Sequence, residues 1–195
     1  CANLCRFCWA GYNYLPVRSF PADRILQLGA PPDRVQVAGN LKWDASLATR
    51  PIPQAIQDTA VQLGLTGQAP LLVAGSTHRG EERVVLDAFR ALRTTHAGAR
   101  LILAPRHVER VGEVEALVRQ DGFTVIRLPG GPSGSPWDVG IVDTFGQLVR
   151  YYALATVVFI GGSLVPHGGQ NPLEAAGLGR PVIFGPFMQN FEAIT

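Results

Sequence analysis

The sequence predicts an open, doubly wound α/β domain with a parallel, Rossmann-like sheet, and three observations carry that prediction. From Val35 onward, short runs rich in Val, Ile and Leu alternate with segments of helical apolar periodicity, the order in which βαβ units are written. The runs are about 4 to 8 residues long, which suits buried strands and falls far short of the roughly 20 that a membrane span needs. Glycine and helix-capping residues stand where those runs end, so each strand hands over to a helix through a tight turn.

In chain order the strands are expected at residues 35–38, 71–74, 100–104, 124–128, 140–143, 157–160 and 181–184. Between the second and third, Val84, Val85, Ala88, Phe89 and Leu92 share one face of a 3.6-residue helix. Val108, Val111, Val114, Leu117 and Val118 repeat the pattern, and Leu148, Val149 and Tyr152 do so again. Residues 129–136 consist of turn formers alone and read as a mobile surface loop. Residues 1–28, rich in cysteine and aromatics, differ in texture from 29–195, so we divide the chain into an irregular N-terminal arm and one Rossmann-like domain.

Composition narrows the function. At 195 residues, 47% hydrophobic, the chain can build a full core without disulfide staples. A formal charge of +2 leaves no electrostatic footprint of a dedicated nucleic-acid binder. All three cysteines fall within the first eight residues, which fits a reducing compartment better than a disulfide framework. The chain starts at Cys1, and its last five residues read as the opening of a helix, as expected of a fragment cut at both ends.

Three constellations sit at consecutive strand ends. Gly161-Gly162-Ser163 leads through Gly168-Gly169-Gln170 to Asn171-Pro172-Leu173-Glu174. Asn171 suits a helix N-cap, Pro172 the first helical position and Glu174 the return arm of a capping box. The same stretch offers close backbone approach, free amides and a carboxylate for ribose hydroxyls. Either role fits these residues. In Gly75-Ser76-Thr77-His78-Arg79-Gly80-Glu81, Ser76 or Thr77 can cap the next helix or, with the amides, cradle a phosphate. Arg106, after Ala104-Pro105, can fork onto a phosphate or a base carbonyl, or sit in a salt bridge. Thr144 and Gln147 form a further capping-box pair around Gly146. Lys42 is the one lysine among 17 basic residues and would suit a compact charge against a carboxylate.

Together these stretches, with Gly39-Asn40-Leu41-Lys42-Trp43-Asp44, Pro105-Arg106-His107 and Gly185-Pro186, resemble the 3-deoxy-D-manno-octulosonic acid (Kdo) transferases from about Gly29 to Thr195. The resemblance implies the C-terminal, donor-binding half of a GT-B glycosyltransferase. It further implies CMP-Kdo as donor, lipid A precursor as acceptor, inversion at the sugar, no metal, and work at the cytoplasmic face of the bacterial inner membrane by an otherwise soluble fragment. Carried over by position, Lys42, Ser76, Thr77, His78, Arg106, Gly146, Asn171 and Glu174 would hold the donor. Phe145 departs from the methionine of that family. The general base would belong to an N-terminal domain outside this chain.

Residues 1–28 do not share that likeness. Cys1, Cys5 and Cys8, spaced C-x₃-C-x₂-C, resemble the cluster segment of a radical S-adenosylmethionine enzyme, where three thiolates hold a [4Fe–4S] cluster. That gives a rival reading as an iron–sulfur enzyme fragment, beside a second rival as a non-catalytic nucleotide-binding module.

Overall fold

The computed structural model describes residues 26–35, 53–65, 69–130, 136–192 and 194. The chain divides into two compact units, Cys1–Leu41 and Lys42–Thr195. In the first, the described residues include a single 3-10 turn, Pro32–Arg34, with proline at its start, where the missing N–H is no loss. The expected strand at 35–38 lies outside the described residues except for Val35, whose backbone is extended. Residues 131–135 of the expected surface loop lie outside them too.

In the second unit, α1 (Pro53–Gln62) precedes β1 (Leu71–Thr77), α2 (Glu81–Thr95), β2 (Arg100–Pro105), α3 (Val111–Gln120) and β3 (Val125–Leu128). There follow β4 (Val139–Val142), α4 (Leu148–Leu154), β5 (Val157–Ile160), α5 (Leu173–Gly177) and β6 (Val182–Phe184). Among the described residues the six strands make one sheet in the order β3-β4-β2-β1-β5-β6, and every pairing is parallel. No helix among them is long and apolar enough to cross a membrane.

Strand alternation sorts the core into two layers. Val73, Ile102, Ala104, Val158 and Ile160 meet Leu63, Tyr151 and Tyr152 on one face. Ala74, Leu101, Leu103 and Phe159 meet Phe89, Leu86, Val114 and Val118 on the other. Both faces are thus covered, as a parallel sheet requires. Each of the large side chains closed to water, such as Leu86 and Phe89 at 0% exposure, contributes about 1.5 to 3 kcal/mol.

Six of the seven expected strands are present within a residue or so, apart from β1, which runs three residues further than its apolar run. Gly75 and Thr77 still pair with Ala104 and Pro105, across a bulge at Ser76. The face of α2 also differs from expectation. Val84 is 51% exposed and Ala88 is exposed, whereas Glu81, Glu82, Val85, Leu86 and Phe89 are buried. The two glutamates are bound beneath the strand ends, and this anchoring sets the rotation of the helix ahead of its apolar pattern.

The sheet order positions the site. From β1 the chain passes through α2 to β2 on one flank, and from β5 through α5 to β6 on the other. At such a switch point a crevice opens beyond the carboxyl ends of the two strands, and this is where α/β sheets bind ligands.

Candidate functional site

The crevice is built from the β1 and β5 ends, and its framework is a buried carboxylate. Glu81, at the first position of α2, is fully buried. Its Oε2 accepts from the His78 amide at 2.8 Å and the Gly162 amide at 2.7 Å. Its Oε1 accepts from the amides of Ser163 at 3.0 Å and Leu164 at 2.9 Å. These four amides are therefore not free for a phosphate, because the protein's own carboxylate occupies them. Gly169 and Gln170 amides donate to the carbonyls of Gly162 and Gly161, which closes the rest of the loop on itself. Gly161 must be glycine, since a Cβ there would overlap the Ser76 carbonyl.

Neither Ser76 nor Thr77 caps α2, whose N-cap is Gly80 in the left-handed region, φ 96°. Ser76 itself has φ 55°, an uncommon conformation for a residue with a side chain, and its bulge turns the chain toward the crevice. The Thr77 hydroxyl donates to Glu82 Oε1 at 2.9 Å and is closed to solvent. Glu82 is held in turn by Arg110, at 2.9 and 3.2 Å. Thr77 thus reaches the site through its backbone, where its carbonyl accepts the Arg106 amide at 2.9 Å.

Ser76, Arg106 and Gly146 line one cleft at the ends of β1, β2 and β4, with Thr144 and Phe145 on its lip. Phe145 is 72% exposed. The Arg106 guanidinium takes part in no ion pair among the described residues. The expected Thr144–Gln147 capping box is absent: Gln147 is the N-cap of α4 and no side chain caps it. With φ 78°, Gly146 turns the chain ahead of the helix instead. A larger cavity, about 320 Å³, lies between α2 and α3 over Arg110 and Glu113, away from the strand ends. We place the site at the smaller cleft because three of the expected residues, Ser76, Arg106 and Gly146, line it beside the switch-point strand β1.

After β5, Asn171 Oδ1 accepts from the Leu173 amide at 3.1 Å, but the helix starts one residue later than the sequence suggested, with Pro172 rather than Asn171 at its N-cap and no side chain capping it. The return arm differs, because Glu174 engages the Asn171 side chain rather than its backbone amide. Burial raises the Glu174 pKa against that hydrogen bond, and its charge helps burial to raise the pKa of Tyr152. Tyr152 packs beneath Gly75, where a Cβ would strike its hydroxyl. Glu174 is therefore left with acceptor capacity that the cap does not use.

His78 sits at the centre. Its ring stacks on His167 with centroids 4.3 Å apart and meets His107 edge-on at 5.8 Å. Burial above all, then His167, hold its pKa down to about 4, with Glu81 pulling upward and His107 and Arg106 adding to the lowering. Sequence reasoning named His78 but missed His107, His167 and Glu81. His107 and His167 stood inside the strand-end motifs with no spacing to join them, and Glu81 looked like an ordinary first-turn acid. Lys42, Cys1, Cys5 and Cys8 lie outside the described residues.

Comparison with known proteins places the chain. No protein-family model matches it. The chain is 33% identical to a 3-deoxy-D-manno-octulosonic acid transferase of Haemophilus influenzae, over 88% of this chain and 40% of that protein. It is 36% identical to the enzyme of that name from Bordetella pertussis, over 87% of this chain and 39% of that one. Among solved structures it resembles the C-terminal CMP-Kdo binding domain of WaaA from Acinetobacter baumannii, with 33% identity and a TM-score of 0.66 over 77% of this chain and 76% of that one. Nothing in these likenesses supports the radical S-adenosylmethionine reading. Fold, crevice and likeness define the class, a GT-B glycosyltransferase of which this chain is the Rossmann-like C-terminal half. The chain belongs to the 3-deoxy-D-manno-octulosonic acid transferase family. It spans about 40% of the length of the curated relatives it matches.

Proposed function

We propose that this chain is the donor-binding half of a Kdo transferase that moves Kdo from CMP-Kdo to a lipid A precursor, with inversion at the sugar and without a metal, at the cytoplasmic face of the inner membrane. The observation that carries the reading is the cleft that Ser76, Arg106 and Gly146 line at the ends of β1, β2 and β4, with His78 close enough to Arg106 to feel its charge. In it the pyrimidine lies in the cleft beside Arg106 and Phe145, the ribose hydroxyls donate to Glu174, and the phosphate faces Ser76 and His78. Arg106 supplies the positive charge against the leaving nucleotide, the role a divalent cation would otherwise play. Attack by the acceptor hydroxyl on the sugar face opposite CMP requires a base, which belongs to the other half of the enzyme.

Arg106→Ala tests this reading. Loss of one hydrogen bond to a charged group costs about 1.5 to 3 kcal/mol, so CMP should bind roughly 10- to 150-fold more weakly. Calorimetric titration reads the change, and equal affinity in the two proteins contradicts the assignment.

A further inference from the structure

Three of the four histidines of the chain meet beside the strand ends from three separate segments. His78 follows β1, His107 follows β2, and His167 comes from the glycine-rich loop after β5. Such clustering of like-charging groups is costly in their protonated form, so it calls for a partner. The groups facing His78 are His167, His107, Arg106, Glu81 and Gln170. Glu81 is the one acid among them, and four backbone amides already use its oxygens. His107 has its own acid, Glu109, at 3.7 Å on the exposed side. Among the described residues the inner face of the cluster is therefore rich in cation-forming groups and poor in available anions. Among the described residues no three His, Cys, Asp or Glu side chains converge on a metal position, so the cluster is not built around a cation.

We propose that His78, His107 and His167, with Arg106 beside them, form an oxyanion subsite that takes up a proton from solvent when an anionic group of the ligand enters. The inference rests on the donor-site reading above and deepens it. The empty site keeps His78 neutral, because a charged ring would be buried against a second imidazole and near a guanidinium. An entering oxyanion reverses that balance: it supplies the opposite charge within a few ångströms, and such a charge raises a base's pKa by about 1 to 3. Nε2 of His78 lies 3.4 Å from the Gln170 side-chain nitrogen, so in the empty site it accepts from that amide. Protonation there needs only a flip of the Gln170 amide, which then offers its oxygen. A Cβ at Gly162 would come within 3.3 Å of the same ring edge, so only a glycine leaves the ring and the Gln170 side chain this room. The charge change suits the reaction proposed: the donor's phosphodiester carries one negative charge, and released CMP carries nearly two near neutral pH. A proton taken up by the cluster offsets the charge gained as the nucleotide leaves the sugar.

The anion could be the phosphate or the sugar carboxylate, and the test separates them. The ring protons of the three histidines, assigned by His78→Gln, His107→Gln and His167→Asn, are followed by NMR from about pH 5 to 8 in the 195-residue chain alone, with CMP, and with cytidine plus free Kdo. In the empty chain His78 is expected to stay neutral throughout. With saturating CMP its midpoint should enter that range; a midpoint that enters it with Kdo and cytidine instead assigns the subsite to the carboxylate. CMP that saturates the chain while neither anion moves any of the three midpoints overturns this proposal and leaves the donor site standing. A His78→Gln variant that binds CMP with the pH dependence of the parent overturns it as well. Failure of CMP to bind the folded chain at any pH overturns both.

Discussion

Glu81→Ala is expected to cost the domain on the order of 4 kcal/mol or more, enough to leave it unfolded or nearly so. The carboxylate accepts four backbone N–H groups and is closed to water. Removing it leaves four donors whose replacement partners would have to come from solvent that the packing excludes. Each orphaned buried donor costs about 1 to 3 kcal/mol, less whatever water can reach, and domain stability is roughly 5 to 15 kcal/mol in all. Glu81→Gln serves as the graded control, since its remaining oxygen keeps two of the four bonds while its NH₂ faces two donors. Urea unfolding should rank the parent above Gln and Gln above Ala. An alanine variant within about 1 kcal/mol of the parent would show that the loop after β5 does not depend on this residue.

Transfer activity should be absent from this chain by itself, even where CMP binds. Deprotonation of an acceptor hydroxyl by a placed base contributes about 10² to 10⁴ in rate, and holding the acceptor in line contributes more. Under the proposed division both belong to the remainder of the enzyme, consistent with a chain that spans about 40% of its relatives. Incubation with lipid A precursor and freshly generated CMP-Kdo is expected to yield no glycolipid above a protein-free control. Glycolipid formed by the purified chain would place the base within these 195 residues and move the division of labour.

Much of the fold was legible in the sequence because it rests on local rules. Buried parallel strands need continuous apolar runs, and β2, β4 and β5 lie within a residue of where those runs fall. Asn171-Pro172 marked the start of α5 to within one residue, since proline cannot continue a strand ladder and the short Asn171 side chain turns back onto the Leu173 amide. What escaped depends on contacts between distant segments. Glu81 meets Gly162 across 81 positions, and no local pattern separates a helix-start glutamate in solvent from one that fills an amide cradle. The same cause turned α2, exposing Val84 where periodicity alone would bury it. The histidine cluster likewise exists only once β1, β2 and β5 lie side by side. Thr144 and Gln147 had the spacing of a capping box, but a left-handed glycine between them delays the helix until Leu148.

The central claim, that the switch-point crevice receives the nucleotide of the donor, is tested most directly by a crystal structure of the chain grown with CMP. The nucleotide is expected beyond the carboxyl ends of β1 and β5, its ribose hydroxyls within hydrogen-bond distance of Glu174 and its phosphate facing His78. CMP bound elsewhere on the molecule, such as between α2 and α3 over Arg110, would contradict the claim, as would an empty crevice at saturating CMP.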